Sequence, residues 1–114
     1  MILVVGGLAA GKEAYVRSLG YGEVDFSSQL DAACPVITDV QELVRDEDAD
    51  VEALASRIAA EKQVVLCVEV GSGIVPIDAD ERAWREKVGR TCTILADRAD
   101  SVVRMVCGIP VTLK

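Results

Sequence analysis

Hydrophobic and polar positions along the chain alternate between two kinds of segment. Residues 1–5 (MILVV), 64–70 (VVLCVEV) and 101–107 (SVVRMVC) are nearly continuous apolar runs. Runs of this length suit strands covered on both faces, as in a parallel sheet. Residues 35–38 (PVIT) read as a shorter buried strand, with Asp39 at its C-terminal end. Between these runs the period lengthens. Val51, Leu54, Ala55, Ile58 and Ala59 fall at i, i+3, i+4, i+7 and i+8, one face of an amphipathic helix. The acidic run 46–50 suits that helix's N-terminus and its macrodipole. A further helix is expected from Asp78, where Glu81 three residues on makes a capping-box pattern. Its apolar stripe is Trp84, Val88 and Leu95, with Thr91 and Cys92 between, and Trp84 reads as a core anchor. A short helix is expected over 12–19, stopped by Gly20 in a left-handed conformation, and a helical turn over 27–33. Residues 108–110 read as a turn, and 111–114 as a final antiparallel edge strand. Pro110 fits an edge because it donates no ladder hydrogen bond.

Strands that alternate with helices predict an α/β fold with a mostly parallel sheet and right-handed crossovers. Ligands in such sheets bind beyond the C-terminal ends of the strands. The loop 6–12, Asp39 and the segment 69–73 all end or follow predicted strands, so they are expected on one sheet edge. There is no internal repeat, linker or low-complexity tract, and 1–114 reads as one domain.

Composition narrows the chemistry. The chain of 114 residues is 51% apolar, enough for one core. No apolar run reaches membrane-spanning length, and the start has no basic leader or cleavage site, so a cytoplasmic protein without membrane contact is expected. A net charge of -7 repels nucleic acid, so a phosphate ligand must be held by local donors. Cys34, Cys67, Cys92 and Cys107 form no CxxC pair and read as reduced thiols, Cys67 and Cys107 within strand-like runs. The chain has no histidine. That removes imidazole-based triads, imidazole metal ligands and a phosphohistidine. Chemistry must run on Lys, Arg, Asp, Glu, backbone amides and a bound metal.

One motif supplies such local donors. Gly6, Gly7, Leu8, Ala9, Ala10, Gly11 and Lys12 spell G-x4-G-K, between a predicted strand and a predicted helix. This is the context of a P-loop, in which glycines let backbone N–H groups converge on a phosphate and the Lys reaches its outer oxygens. The bland alternative is a glycine turn that packs helix on strand. The residue after Lys12 should be Ser or Thr, to ligate Mg²⁺, but it is Glu13. A carboxylate about 4 Å from a phosphate charge costs roughly 1 kcal/mol in water and about 4 kcal/mol at an effective dielectric of 20. Either Glu13 points away and Mg²⁺ loses a ligand, or it binds Mg²⁺ itself. Asp39 is either a metal- or water-orienting acid or the N-cap of the next helix. Glu69 either holds a ligand hydroxyl or metal water, or ends its strand in an ion pair or in solvent.

The run from Glu69 to Pro76 (EVGSGIVP) resembles the E-V-G-x-G-I-V-P signature of the bifunctional adenosylcobinamide kinase / adenosylcobinamide-phosphate guanylyltransferase family of cobalamin biosynthesis. Residues 84–90 (WREKVGR) resemble that family's F-R-D-x-x-G-R helix, 106–114 (VCGIPVTLK) its V-S-G-I-x-V-K-I-K tail, and 1–12 its P-loop start. These stretches cover roughly half to two-thirds of the chain. The resemblance implies a RecA-like P-loop sheet, ATP or GTP as ligand with Mg²⁺, a corrinoid substrate and a homo-oligomer. It carries over the loop 6–12 and Glu69 for nucleotide and chemistry, and Gly71, Gly73, Arg85 and Arg90 for substrate. The departures are specific. The family is longer, and 19–34 is a short replacement for the stretch that bears its guanylylated histidine. Cys92 stands for a family Asn, and Asp39 for a strand-end Glu. The resemblance therefore implies a kinase-like nucleotide binder without guanylyl transfer. A non-catalytic nucleotide- or corrinoid-binding relative, or a structural remnant, is the alternative.

Overall fold

The computed structural model describes residues 1–46, 48–70 and 78–114. Gly71 and Gly73 lie outside the described residues. Six strands form one sheet in the order β2-β3-β4-β1-β5-β6: β1 (Ile2–Gly6), β2 (Phe26–Ser27), β3 (Val36–Ile37), β4 (Val64–Val68), β5 (Ser101–Val106) and β6 (Ile109–Thr112). All neighbours are parallel except β5 and β6. Central β1 pairs with β4 from Ile2↔Val64 to Gly6↔Val68, and with β5 from Ile2↔Ser101 to Gly6↔Met105. The fold is the expected α/β type with a C-terminal antiparallel edge strand.

The pleat sorts the apolar runs onto two faces. Leu3, Val65, Cys67 and Val102 face α3 (Val51–Glu61) and α4 (Ala79–Arg98), with Ala55, Ile58, Val88 and Leu95 opposite. Val4, Val64, Leu66, Val103 and Met105 face the other way, onto Val16 of α1 (Lys12–Ser18), with Tyr15, Tyr21 and Phe26 alongside. Strands buried on both faces must be apolar at every position, which is why no alternation shows in 64–68.

Helix α3 starts as its pattern predicts, with the Asp50 carboxylate accepting from Ala53 N–H at 3.1 Å. Gly20 follows α1 at φ +109°. At α4 the Asp78 carboxylate accepts from Asp80 N–H at 2.8 Å, but Glu81 does not complete a capping box. It pairs instead with Arg45 at 3.3 Å. Trp84 is an anchor, as expected. Its Nε1–H donates to the Gln41 carbonyl at 2.8 Å, and the Arg45 guanidinium lies 3.5 Å from its ring centroid.

Further sequence expectations fail locally. Residues 27–33 are not helical. Phe26–Ser27 is a strand after a 3-10 turn (Glu23–Asp25), and Ser27 Oγ accepts from Gln29 N–H at 3.1 Å. The buried Lys62 ammonium then takes the Ala32 and Cys34 carbonyls, at 2.7 and 2.8 Å. A long-range donor thus ties down the end of this segment, which within itself makes a single turn bond from Ala32 N–H to the Gln29 carbonyl at 3.2 Å. The last turn is also shorter than expected. Cys107 and Gly108, at φ +50° and +76°, join β5 to β6 as a two-residue hairpin, so Ile109 and Pro110 lie within the strand. Cys107 is accordingly exposed rather than embedded in a strand. No helix among the described residues is long and apolar enough to cross a membrane.

Candidate functional site

Strand β1 delivers the loop 6–12 to the C-terminal edge of the sheet, and three close approaches fix its shape. A Cβ on Gly6 would lie 2.9 Å from the Met105 carbonyl oxygen of neighbouring β5. Gly11 has φ +96°, and a Cβ there would lie 3.2 Å from Gly108 Cα. Gly108 N–H in turn donates to the Ala10 carbonyl at 3.0 Å. The β5–β6 hairpin thus braces the loop from behind.

The loop's donors are left available. Ala10 N–H is used within the loop, on the Gly7 carbonyl at 3.2 Å, and the first helical bond runs from Tyr15 N–H to the Gly11 carbonyl at 3.0 Å. The amides of Leu8, Ala9, Gly11, Lys12 and Glu13 have no backbone acceptor among the described residues. They belong to residues that line a cleft of about 440 Å³, with Ala10, Ala14, Thr38, Asp39, Leu66 and Val68. That volume lies in the range of small-ligand sites. The Lys12 ammonium lies across the loop, donating to the Gly7 carbonyl at 2.8 Å and to that of Gly6 at 3.3 Å. Burial lowers its pKa, while the charges of Asp39, Glu13 and Glu69 act in the opposite direction. It is a cation held in a recess among carboxylates.

Asp39 reaches this cleft from the end of β3. It occupies the N-cap position of α2 (Val40–Leu43), yet its side chain caps nothing. Its φ of +55° is a left-handed conformation that Asp tolerates better than most residues. The carboxylate instead accepts from Gln41 Nε2 at 3.3 Å and Thr38 Oγ1 at 3.4 Å. Gln41 is buried, and its amide oxygen also accepts from Val68 N–H at 3.1 Å, which ties Asp39 to the end of β4. Glu13 is exposed on the first turn of α1 and has no ion pair among the described residues. Asp39 and Glu13 are oxygen donors of the kind Mg²⁺ takes.

Glu69 is placed differently. Its N–H donates to the Gly6 carbonyl at 2.7 Å, continuing the ladder. Its carboxylate pairs with Arg104 at 3.1 Å, across β1 and outside the cleft lining. The ion pair is one of the arrangements expected for Glu69. Arg85 sits half-buried on α4, and Arg90 pairs with Glu52 on α3; neither lines the cleft. The site residues therefore gather in part. The loop and Asp39 share one cleft, Glu69 borders it, and the two arginines lie on the helical layer. Sequence reasoning missed Gln41 and Thr38, polar neighbours of a strand end with no motif to mark them. It also missed Arg104, whose only signal was a charge inside an apolar run.

A family model described as cobinamide kinase / cobinamide phosphate guanyltransferase matches residues 30–113. No curated protein matches the chain. The matched span holds Asp39, Glu69 and both arginines, while the loop 6–12 precedes it. With 30–113 matched out of 114 residues, the chain belongs to the cobinamide kinase / cobinamide phosphate guanyltransferase family.

Proposed function

We propose that residues 1–114 form a single nucleotide-binding domain whose loop 6–12 cradles the phosphates of ATP or GTP, and that it serves phosphoryl transfer to a cobinamide hydroxyl. The observation that carries this reading is the set of backbone amides, at 8, 9, 11, 12 and 13, that have no backbone acceptor among the described residues and share one cleft with Lys12. Converging amides and one lysine are what a phosphate chain requires when the protein's net charge is -7. Phosphoryl transfer is catalysed mainly by positioning and electrostatics. Lys12 neutralises charge on the transferring group, and Asp39, held by Gln41 and Thr38, orients the acceptor hydroxyl or a metal water. Mg²⁺, when bound, would be held by Asp39 with Glu13 and would neutralise the phosphate oxygens. Without a Ser or Thr hydroxyl at position 13 that site is weakened. Glu69 keeps its ion pair with Arg104 and acts on Lys12 only through its charge. A corrinoid would be held by Arg85, Arg90, Gly71 and Gly73, the positions that match the family's substrate motifs.

Guanylyl transfer through a histidine is lost, because the chain has none. A second reading, a binder without turnover, is favoured by Glu13 and by the short segment 19–34. The test is transfer of a labelled γ-phosphate from ATP or GTP to adenosylcobinamide, for the natural protein and Glu13→Ser. Labelled cobinamide phosphate from the natural protein is the expected product, with more from Glu13→Ser. Product from Glu13→Ser alone identifies the natural chain as the non-catalytic binder. No product from either overturns the kinase reading.

A further inference from the structure

Two thiols that no part of the nucleotide site uses meet in the core. Cys67 on β4 and Cys92 on α4 bring their sulfurs to 3.5 Å, although they lie 25 residues apart in the chain. Cys67 is fully buried, and Cys92 is half-buried at the edge of the same apolar cluster. Cys34 and Cys107 are placed differently: the Cys34 thiol donates to the Val24 carbonyl, and Cys107 is exposed on the hairpin.

We propose that Cys67 and Cys92 form a reversible intramolecular disulfide when the protein meets a peroxide, stapling β4 to α4. A disulfide has an S–S length of about 2.05 Å, so the sulfurs must close by about 1.5 Å. The roles follow from exposure. Cys92 is the more accessible sulfur and ionises first. Its contact with the Cys67 thiol lowers its pKa, and that same contact together with burial raises the pKa of Cys67. The Cys92 thiolate attacks one peroxide oxygen; the O–O bond breaks, an S–O bond forms, and hydroxide leaves to take a proton as water. The Cys67 sulfur then attacks the Cys92 sulfenic acid; the S–S bond forms, the S–O bond breaks, and the Cys67 proton leaves with the oxygen as a second water. Two thiols lose two electrons in all, and one peroxide becomes two waters.

The staple has a definite place in the fold. Cys67 pairs in register with Val5, and the next pair is Val68 with Gly6, where the phosphate loop begins. Oxidation would thus tie the strand beside that loop to the helix that carries Arg85 and Arg90.

The test uses the whole chain. Protein is treated with hydrogen peroxide, quenched, unfolded, alkylated and digested without reductant. The expected result is a Cys67–Cys92 linked peptide, two alkylatable thiols instead of four, and return of all four with dithiothreitol. The same linkage is expected in a Cys34→Ser, Cys107→Ser variant and is absent in Cys92→Ser. The thermal midpoint of the oxidised chain should rise by roughly 10 °C over the reduced chain. Four alkylatable thiols after peroxide, linkage through Cys34 or Cys107, or over-oxidation of Cys92 without linkage would each overturn the proposal.

Discussion

Substituting alanine at Gly7 and at Gly11, two glycines of one short loop, should give unequal results: a loss of stability at Gly11 and almost none at Gly7. At Gly11 the added Cβ meets two obstacles. The residue has φ +96°, and the new atom would lie 3.2 Å from Gly108 Cα. A left-handed conformation costs an L-residue about 1–2 kcal/mol. The contact adds about 1 kcal/mol more, because Gly108 cannot retreat without straining its N–H bond to Ala10. Gly11→Ala should therefore destabilise the chain by about 2–3 kcal/mol. For a domain of this size that lowers the thermal midpoint by roughly 8–12 °C. At Gly7 a Cβ meets nothing within 4 Å and needs no positive φ, so Gly7→Ala should stay within about 0.5 kcal/mol of the parent. Thermal unfolding followed by circular dichroism reads both variants side by side. Equal midpoints, or a larger loss for Gly7→Ala, would refute the claim that the β5–β6 hairpin sets the loop's shape.

Other consequences follow from single residues. Lys62→Met removes the donor from the Ala32 and Cys34 carbonyls and should cost about 1–3 kcal/mol in urea unfolding. Trp84→Phe keeps the apolar ring but leaves the Gln41 carbonyl without its donor, and should cost about 1–2 kcal/mol by the same measurement. The Arg57 guanidinium holds the Asp31 carboxyl below its usual pKa. A depressed carboxylate stabilises above its unfolded pKa, about 3.9, and loses that contribution as pH falls through the folded value. Asp31→Asn should therefore narrow the stability difference between pH 6 and pH 2, measured by thermal melts at both.

What the sequence disclosed was what local pattern encodes. The strand at 64–68 is legible because burial on both sheet faces demands unbroken apolar residues, and 101–106 is legible from Val102, Val103 and Met105, which Arg104 interrupts on an exposed position. The P-loop is legible because glycine, lysine and position relative to a strand coincide in one motif. Long-range donors were not legible. The buried Lys62 ammonium, 28 to 30 residues away, takes the Ala32 and Cys34 carbonyls at the end of the segment where a helical turn is expected. Asp39 was recognised as a candidate without its supports, since the bond from Gln41 to β4 joins residues 27 apart in the chain. The pairing of Glu69 with Arg104 spans 35 residues and depends on strand order, which composition does not reveal. The hairpin at Cys107 escaped notice because its first residue is neither Gly nor Asn, the usual occupants of a positive φ.

Calorimetric titration of the protein with ATP and GTP, with and without Mg²⁺, tests the phosphate cradle most directly. Saturable binding that Lys12→Ala abolishes is the predicted result, with a smaller Mg²⁺ dependence than a Ser or Thr at position 13 would confer. No binding at millimolar nucleotide, or binding that Lys12→Ala leaves unchanged, would contradict it.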